Sequence, residues 1–282
     1  MDINKQKIKN IFLVVIDFIK KSLFLSNLSK VELQGIIKPL TRFRLMPYTK
    51  IKAPYFLGRT VRGISFNGNI IQDPAGRLCM DVCNDDYKTA VSNLSTVFDK
   101  QKDMSAGDIV NLSNNITLKK YPAWALVMPW EKLNAEEMFE SYPEIFYKNR
   151  CKQGLIFEDK SRSSIIKIMY SPSFIENRAN QMNKLYESIM RKGFVKDFNL
   201  PKINILVREN EWRWFMGDGG NHRSYILSFL GHKFFDARIS SIIDIKDVDN
   251  WHNVKNGTYS VIEAQNIFES YFEGSRVHRG MV

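Results

Sequence analysis

Ile203-Asn204-Ile205-Leu206-Val207, Arg208-Glu209-Asn210-Glu211, Trp212-Arg213-Trp214-Phe215-Met216, Gly217-Asp218-Gly219-Gly220-Asn221-His222-Arg223, Ser224-Tyr225-Ile226-Leu227-Ser228-Phe229-Leu230-Gly231: this run decides the fold. Its first five residues are β-rich and alternate, the signature of a strand. Four polar residues then turn the chain into a second strand, Trp212 to Met216, so the pair reads as a hairpin. Trp212 and Trp214 stand two apart along it, on one face of the strand, and one of them is expected in a core. A glycine-rich turn feeds a helix from Ser224 to Leu230 that Gly231 closes. Phe234-Phe235-Asp236-Ala237-Arg238-Ile239 follows as the returning strand.

Upstream, Arg178 to Arg191 has Met182, Leu185, Ile189 and Met190 on one side and Gly193 behind it, a helix with a C-cap glycine. Tyr121-Pro122-Ala123-Trp124-Ala125-Leu126-Val127-Met128-Pro129 reads as a buried strand. Asn134 with Glu137 forms a capping-box pattern opening a helix over 135–150. Residues 148–169, with six Lys/Arg against Glu158 and Asp159, read as a solvated excursion. From 40 to 120 Pro and Gly are dense, with short strands or ordered loops at Gly63–Phe66 and Asn69–Ile71, a helix over Asp85–Lys100 and a short one opening at Ser105. The expected organisation is a basic helix over 1–30, an irregular α+β region over 31–120, a domain over 121–245 and a helical extension over 246–282. The fold class is α+β, with a small mixed sheet and helices in the C-terminal half.

The chain carries a net +11, but twelve Lys/Arg against Asp2, Asp17 and Glu32 put +9 in residues 1–60 and leave +2 for the other 222. A specific nucleic-acid groove over the C-terminal half is not expected from that distribution. Within the basic segment, residues 8–25 read as a helix with a wide apolar face and the narrow polar stripe Asn10, Asp17, Lys21. It suits either an anionic membrane surface, contacted through residues 1–60, or an ordinary core. Cys79, Cys83 and Cys151 fit reduced thiols in the cytoplasm, and the spacing lacks the second pair that a zinc site needs.

The chemistry lies in the glycine turn. A helix start offers unpaired backbone N–H groups and the positive end of its dipole, and glycine lets an anion approach the backbone. Arg223 adds a planar fork that suits phosphate oxygens, and His222 another donor. Gly219, Gly220, Asn221, His222, Arg223 and Ser224 are therefore the candidate phosphate-binding set. The order helix, Gly193, hairpin, Gly219-Gly220-Asn221-His222-Arg223, helix, Gly231, strand resembles the ParB/sulfiredoxin superfamily over about residues 170–240. The 121–128 segment would match that family's opening strand. The resemblance implies a nucleotide held by its phosphates at that turn. Asn221 stands where sulfiredoxins carry their catalytic Cys, which removes the nucleophile for sulfinic acid reduction. About 40 residues follow the last strand, too few for the helix-turn-helix module of ParB partition proteins.

What remains resembles the free-serine kinases and related phosphotransferases of this fold, implying ATP or another nucleotide, Mg²⁺ and a hydroxyl acceptor. Asp103-Met104-Ser105-Ala106-Gly107-Asp108-Ile109-Val110, Tyr121-Pro122-Ala123-Trp124-Ala125 and Pro129-Trp130-Glu131 further resemble ParB-like proteins associated with bacterial surface-polysaccharide gene sets, which suggests a sugar or polyol acceptor. A kinase needs phosphate clamps, a metal ligand and a base. Asp218 is the candidate metal ligand or base, or an ordinary turn Asp. Glu131 and Glu176 are candidate bases, or respectively a surface turn residue and a helix-start carboxylate. Arg178 is a candidate phosphate contact, or a surface salt-bridge partner. The alternatives to a kinase are a membrane-associated module that senses a nucleotide without catalysis, and a ParB-like DNA nuclease or clamp.

Overall fold

The computed structural model describes residues 50–67, 70–84, 86–151, 154–157, 159–193, 200–209, 211–217 and 219–274. The expected helix over 8–25 and Asp218 lie outside them. The described chain is α+β and is built on one mixed five-stranded sheet. Strands β1 (Lys50–Pro54), β2 (Gly58–Arg59), β3 (Lys202–Arg208), β4 (Glu211–Met216) and β5 (Phe234–Asp244) lie in the order β1-β5-β3-β4-β2. The two outer strands come from residues before 121, so a boundary at residue 120 does not separate two sheets.

β3 and β4 form the expected antiparallel hairpin, from Ile203 opposite Met216 to Arg208 opposite Glu211. Glu209 takes the positive φ of 49° that a two-residue hairpin loop requires. An Arg208–Glu211 ion pair of 2.7 Å closes the hairpin's end. The chain then crosses through a helix and returns in β5, parallel to β3, and β1 adds antiparallel outside β5.

Alternation along these strands gives the sheet two buried faces. Ile203, Ile205, Trp214 and Met216 point to one, where they meet α1 (Pro74–Cys83), α2 (Tyr87–Lys102), α7 (Pro172–Lys192) and α8 (Asn221–Phe229). Leu206, Phe215 and Ile243 point to the other, packed against α10 (Val261–Glu273) and the stretch from α3 (Ala106–Ile109) and α4 (Ile116–Lys119) onward. Trp214 is the tryptophan taken into the core, fully buried, while Trp212 is half-buried. A third apolar cluster, Phe146, Ile165, Met169 and Phe174, joins α5 (Ala135–Cys151), α6 (Arg162–Met169) and α7. The remaining short helix, α9 (His252–Lys255), precedes α10.

Two expectations are corrected. Residues 121–128 bury only Ala125 and Val127 and form no strand: Ala123–Ala125 is a 3₁₀ turn. Pro122 and Pro129 lack the N–H that a ladder needs, and the backbone bonds run instead to the preceding loop, Ala106 N–H to Tyr121 O (2.8 Å) and Ala123 N–H to Met104 O (2.9 Å). Residues 148–169 are not a solvated excursion. Ser161 caps α6, which buries Ile165 and Met169. The capping box at Asn134 is present, with Glu137 N–H on Asn134 Oδ1 and Asn134 N–H on Glu137 Oε2, both 2.9 Å.

Candidate functional site

Helix α8 opens as the glycine turn predicts. Gly220 is the N-cap in the left-handed region (φ 78°), and no side chain caps the helix. A Cβ at 220 would fall 2.5 Å from Pro201 Cβ, so both conformation and packing require glycine there. Gly219 has φ 73° and faces open space. The first-turn N–H groups of such a helix have no carbonyl of their own. Within this turn Asn221 Oδ1 and His222 Nε2 are buried without a hydrogen-bond partner.

The side chains of the motif divide. Ser224 is fully buried, its hydroxyl donating to Asn221 O (2.8 Å) and its N–H to Gly220 O (2.8 Å). Both groups are therefore committed to the helix rather than to a phosphate. Tyr225, next in line, anchors α8 by donating to Asp73 Oδ1 (2.9 Å), the N-cap of α1. Arg223 is half-buried on the first turn, about 100° round the helix from His222.

His222 faces inward toward two arginines from other helices. Burial first, then the charges of Arg178 and Arg150, push its pKa down to about 3, so the imidazole is neutral at pH 7. Arg178 of α7 is packed on nearly every side yet still reaches solvent. Burial and Arg150 lower its pKa to about 10, and it keeps its charge. Arg150, at the end of α5, lies over the rings of Phe146 (5.3 Å) and Phe174 (5.1 Å). Burial raises the pKa of the Tyr142 phenol, and the charges of Arg150 and Arg178 oppose that rise.

Arg150, Arg178 and Tyr142 line a cleft of about 300 Å³. Arg150, Arg178, Arg62 and Gln101 are its polar markers, and Phe98, Trp124, Tyr142, Phe146, Tyr170 and Phe174 form an aromatic wall. Among the described residues its lining contains no Asp or Glu. Two mutually close guanidiniums, whose charges also reach the buried His222 imidazole, make a place where an anion is favoured and a cation is not.

The candidate carboxylates distribute unevenly. Glu131 sits in the turn after the cleft wall, its Oε2 accepting from the N–H of Met128 (2.8 Å), a lining residue. Protein crowds it although it reaches solvent; that desolvation raises its pKa, with the Met128 N–H acting in the opposite direction. Glu176 is not at a helix start: α7 begins at Pro172, and Glu176 is exposed, about 200° round the helix from Arg178. Asp218 lies outside the described residues. Among the described residues no three His, Cys, Asp or Glu side chains gather to hold a metal ion. Cys79 and Cys83 touch at 3.8 Å along α1 as free thiols.

Sequence reasoning missed Arg150, Arg62, Tyr142 and Gln101. Arg150 was hidden in a run of basic residues. Its signal was the spacing Tyr142, Phe146, Arg150, two steps of four that place the arginine on the apolar side of α5. Arg62 follows a short strand in irregular chain and carried no periodic signal. The chain matches no protein-family model, no curated protein sequence and no solved structure.

Proposed function

We propose that this chain binds a nucleotide through its phosphates at the first turn of α8 and transfers a phosphoryl group to a hydroxyl of a small molecule, sugar or polyol, as a domain of the ParB/sulfiredoxin type. The observation that carries the reading is that Arg178 and Arg150 bear on His222, two residues after the left-handed Gly220 that opens α8. The residues fit nucleotide phosphates: the guanidiniums supply charge-assisted bonds, His222 one neutral donor, and Gly219 an unobstructed backbone. In the transfer, the acceptor oxygen bonds to the terminal phosphorus as the bond to the bridging oxygen breaks. The nucleotide diphosphate leaves, and the acceptor's proton passes to a base. Glu131, Glu176 and Asp218 are the candidate bases; crowding raises the basicity of Glu131, and neither Glu131 nor Glu176 lines the cleft. The described residues offer no cluster for Mg²⁺. A surface-polysaccharide acceptor and a place at an anionic membrane surface, through residues 1–60, belong to the same proposal.

A second reading, nucleotide sensing without transfer, is favoured by the lack of any carboxylate among the described residues of the cleft lining. Calorimetry with ATP, ADP and CTP in the presence of Mg²⁺, followed by phosphate transfer to a panel of sugars and polyols, tests both. Binding with transfer supports the kinase, binding without transfer supports the sensor, and no binding of any nucleotide removes both.

A further inference from the structure

Helix α1 carries two sulfurs that the nucleotide reading leaves unused. Cys79 and Cys83 stand one turn apart on the same face of the helix, and their Sγ atoms touch at 3.8 Å. Cys151, the other cysteine of the chain, is exposed at the end of α5. Cys79 is 2% exposed and belongs to the core that α1, α2, α7 and α8 share with the sheet, whereas Cys83 is half-buried at the last position of α1. One sulfur is closed off from solvent and the other is within reach of small molecules.

The frame around the pair fixes Cys79 more firmly than Cys83. The N-terminal end of α1 is held by Asp73, which caps Ala75 N–H (2.9 Å) and Gly76 N–H (3.3 Å) and accepts from Tyr225 of α8 (2.9 Å). Asp81, between the two cysteines, is buried and bonded to Arg77 Nε (3.2 Å) and to Asn93 Nδ2 of α2 (2.7 Å). Past Cys83 the helix ends, with Asn84 N–H on Met80 O (3.0 Å). Residues four apart on an α-helix have Cα atoms about 6 Å apart, within the span that a disulfide bridges. Shortening the sulfur separation to about 2 Å requires the last turn to draw in around Cys83. A bond closed against the helix geometry is more readily reduced than a relaxed one, which suits reversible chemistry.

We infer that Cys79 and Cys83 form a redox-sensitive dithiol, closed to a disulfide by a hydroperoxide that reaches Cys83 from solvent and reopened by a thiol reductant. Cys83 Sγ, as the thiolate, attacks one peroxide oxygen; the O–O bond breaks, the leaving hydroxide takes a proton to become water, and Cys83 is left as a sulfenic acid. Cys79 Sγ then bonds to Cys83 Sγ, giving up its proton as the S–O bond breaks and the second oxygen leaves as water. Two thiols lose two electrons to one peroxide, and the products are one disulfide and two waters. The division of roles follows exposure, and the hydrogen bond with Cys83 followed by burial raises the Cys79 pKa well above the ordinary thiol range, which keeps Cys79 a thiol until Cys83 has been oxidised.

The test treats the full chain, Cys79→Ala and Cys83→Ser with hydrogen peroxide at neutral pH, alkylates the remaining thiols in denaturant and measures tryptic peptides by mass spectrometry. Residues 78–88, released by cleavage after Arg77 and Lys88, hold both cysteines and leave out Cys151. In the native chain this peptide should lose two hydrogens, resist alkylation, and regain both alkylation sites after dithiothreitol. In Cys79→Ala, dimedone should trap Cys83 as the sulfenic acid; in Cys83→Ser, oxidation of Cys79 should slow about tenfold or more. Circular dichroism checks that both variants are folded. Should either fail, the native chain decides alone, because dimedone added with the peroxide should divert Cys83 and suppress the disulfide. Two alkylatable thiols left in the peptide after peroxide, Cys83 carried on to the sulfinic acid with Cys79 still reduced, a bond from either residue to Cys151, or closure in denaturant only would each overturn the inference.

Discussion

Two polar regions of this molecule, on opposite faces of the sheet, are built on opposite rules. Beneath β4, Asn253 is fully buried, and its amide donates to Met128 O (2.9 Å), Glu131 O (3.2 Å) and Leu133 O (2.9 Å) while accepting from Asn256 (3.0 Å). Arg59, also buried, donates to Tyr271 O (2.6 Å), Phe272 O (2.7 Å) and Gly58 O (2.9 Å), and so closes the C-terminal end of α10. At the start of α8 the same kinds of group are left short: His222 Nε2 and Asn221 Oδ1 are buried without partners, and Arg178 and Arg150 face each other. Satisfied networks hold a fold together, whereas unsatisfied ones cost stability and persist where a ligand completes them. The contrast is between these two regions, since Arg162 and Arg213 also bury an Nε without a partner.

The sharpest way to break the contrast is at Arg59. Arg59→Leu removes three charge-assisted bonds and leaves the carbonyls of α10 buried, so unfolding free energy in urea should fall by about 3 kcal/mol or more. Nucleotide affinity of the folded fraction should be unchanged. A loss below about 1 kcal/mol would mean that water replaces the guanidinium. Asn253→Ala should cost somewhat less, about 2 kcal/mol, for the three orphaned carbonyls. Its near-ultraviolet circular dichroism should also change, because Trp130 and Trp251, 5.4 Å apart edge to face, flank that loop.

Arg178 sharpens the comparison from the other side. Arg178→Ala should lower nucleotide affinity by about 1.5–3 kcal/mol, some tenfold to a hundredfold. Its melting temperature should hold or rise, because Arg150 loses a like-charged neighbour. Destabilisation on the scale of Asn253→Ala, with affinity intact, would make Arg178 a packing residue instead.

The two regions also differ in how far the sequence disclosed them. The hairpin, the glycine turn, α8 and the capping box at Asn134 were legible because each depends on local rules: alternation, positive φ, side-chain-to-backbone bonds. The extension of the sheet by β1 and β2 was not, since pairing Lys50 with Arg238 and Gly58 with Trp214 spans more than 150 residues and leaves no local pattern. The apolar run at 121–128 misled because burial favours the same residues in a strand and in an irregular core segment, and Pro122 and Pro129 were the signs against a strand. At the candidate site, His222 and Arg178 were singled out by motif and by helix position, whereas Glu176 lies inside α7, which begins at Pro172, rather than before it. Arg62 met them through the tertiary fold alone.

The smallest expected effect is carried by a proton. His222 is neutral in the folded chain down to about pH 3, because burial and the charges of Arg178 and Arg150 oppose a third cation, whereas an unfolded histidine takes its proton near pH 6.5. Above that pH neither state binds the proton and His222 does not affect stability. As pH falls from 6.5 toward 3 the unfolded chain gains a proton that the folded chain refuses, and stability declines through that window. His222→Asn, which cannot titrate, should therefore show a shallower loss of unfolding free energy over the same window. An identical slope in the two proteins would show that His222 is solvated. An anion bound at α8 reverses the local field and raises the His222 pKa. Ligand binding should then take up protons, increasingly as pH falls below neutrality. Calorimetry in two buffers of different ionisation enthalpy reads that uptake, and it should vanish in His222→Asn.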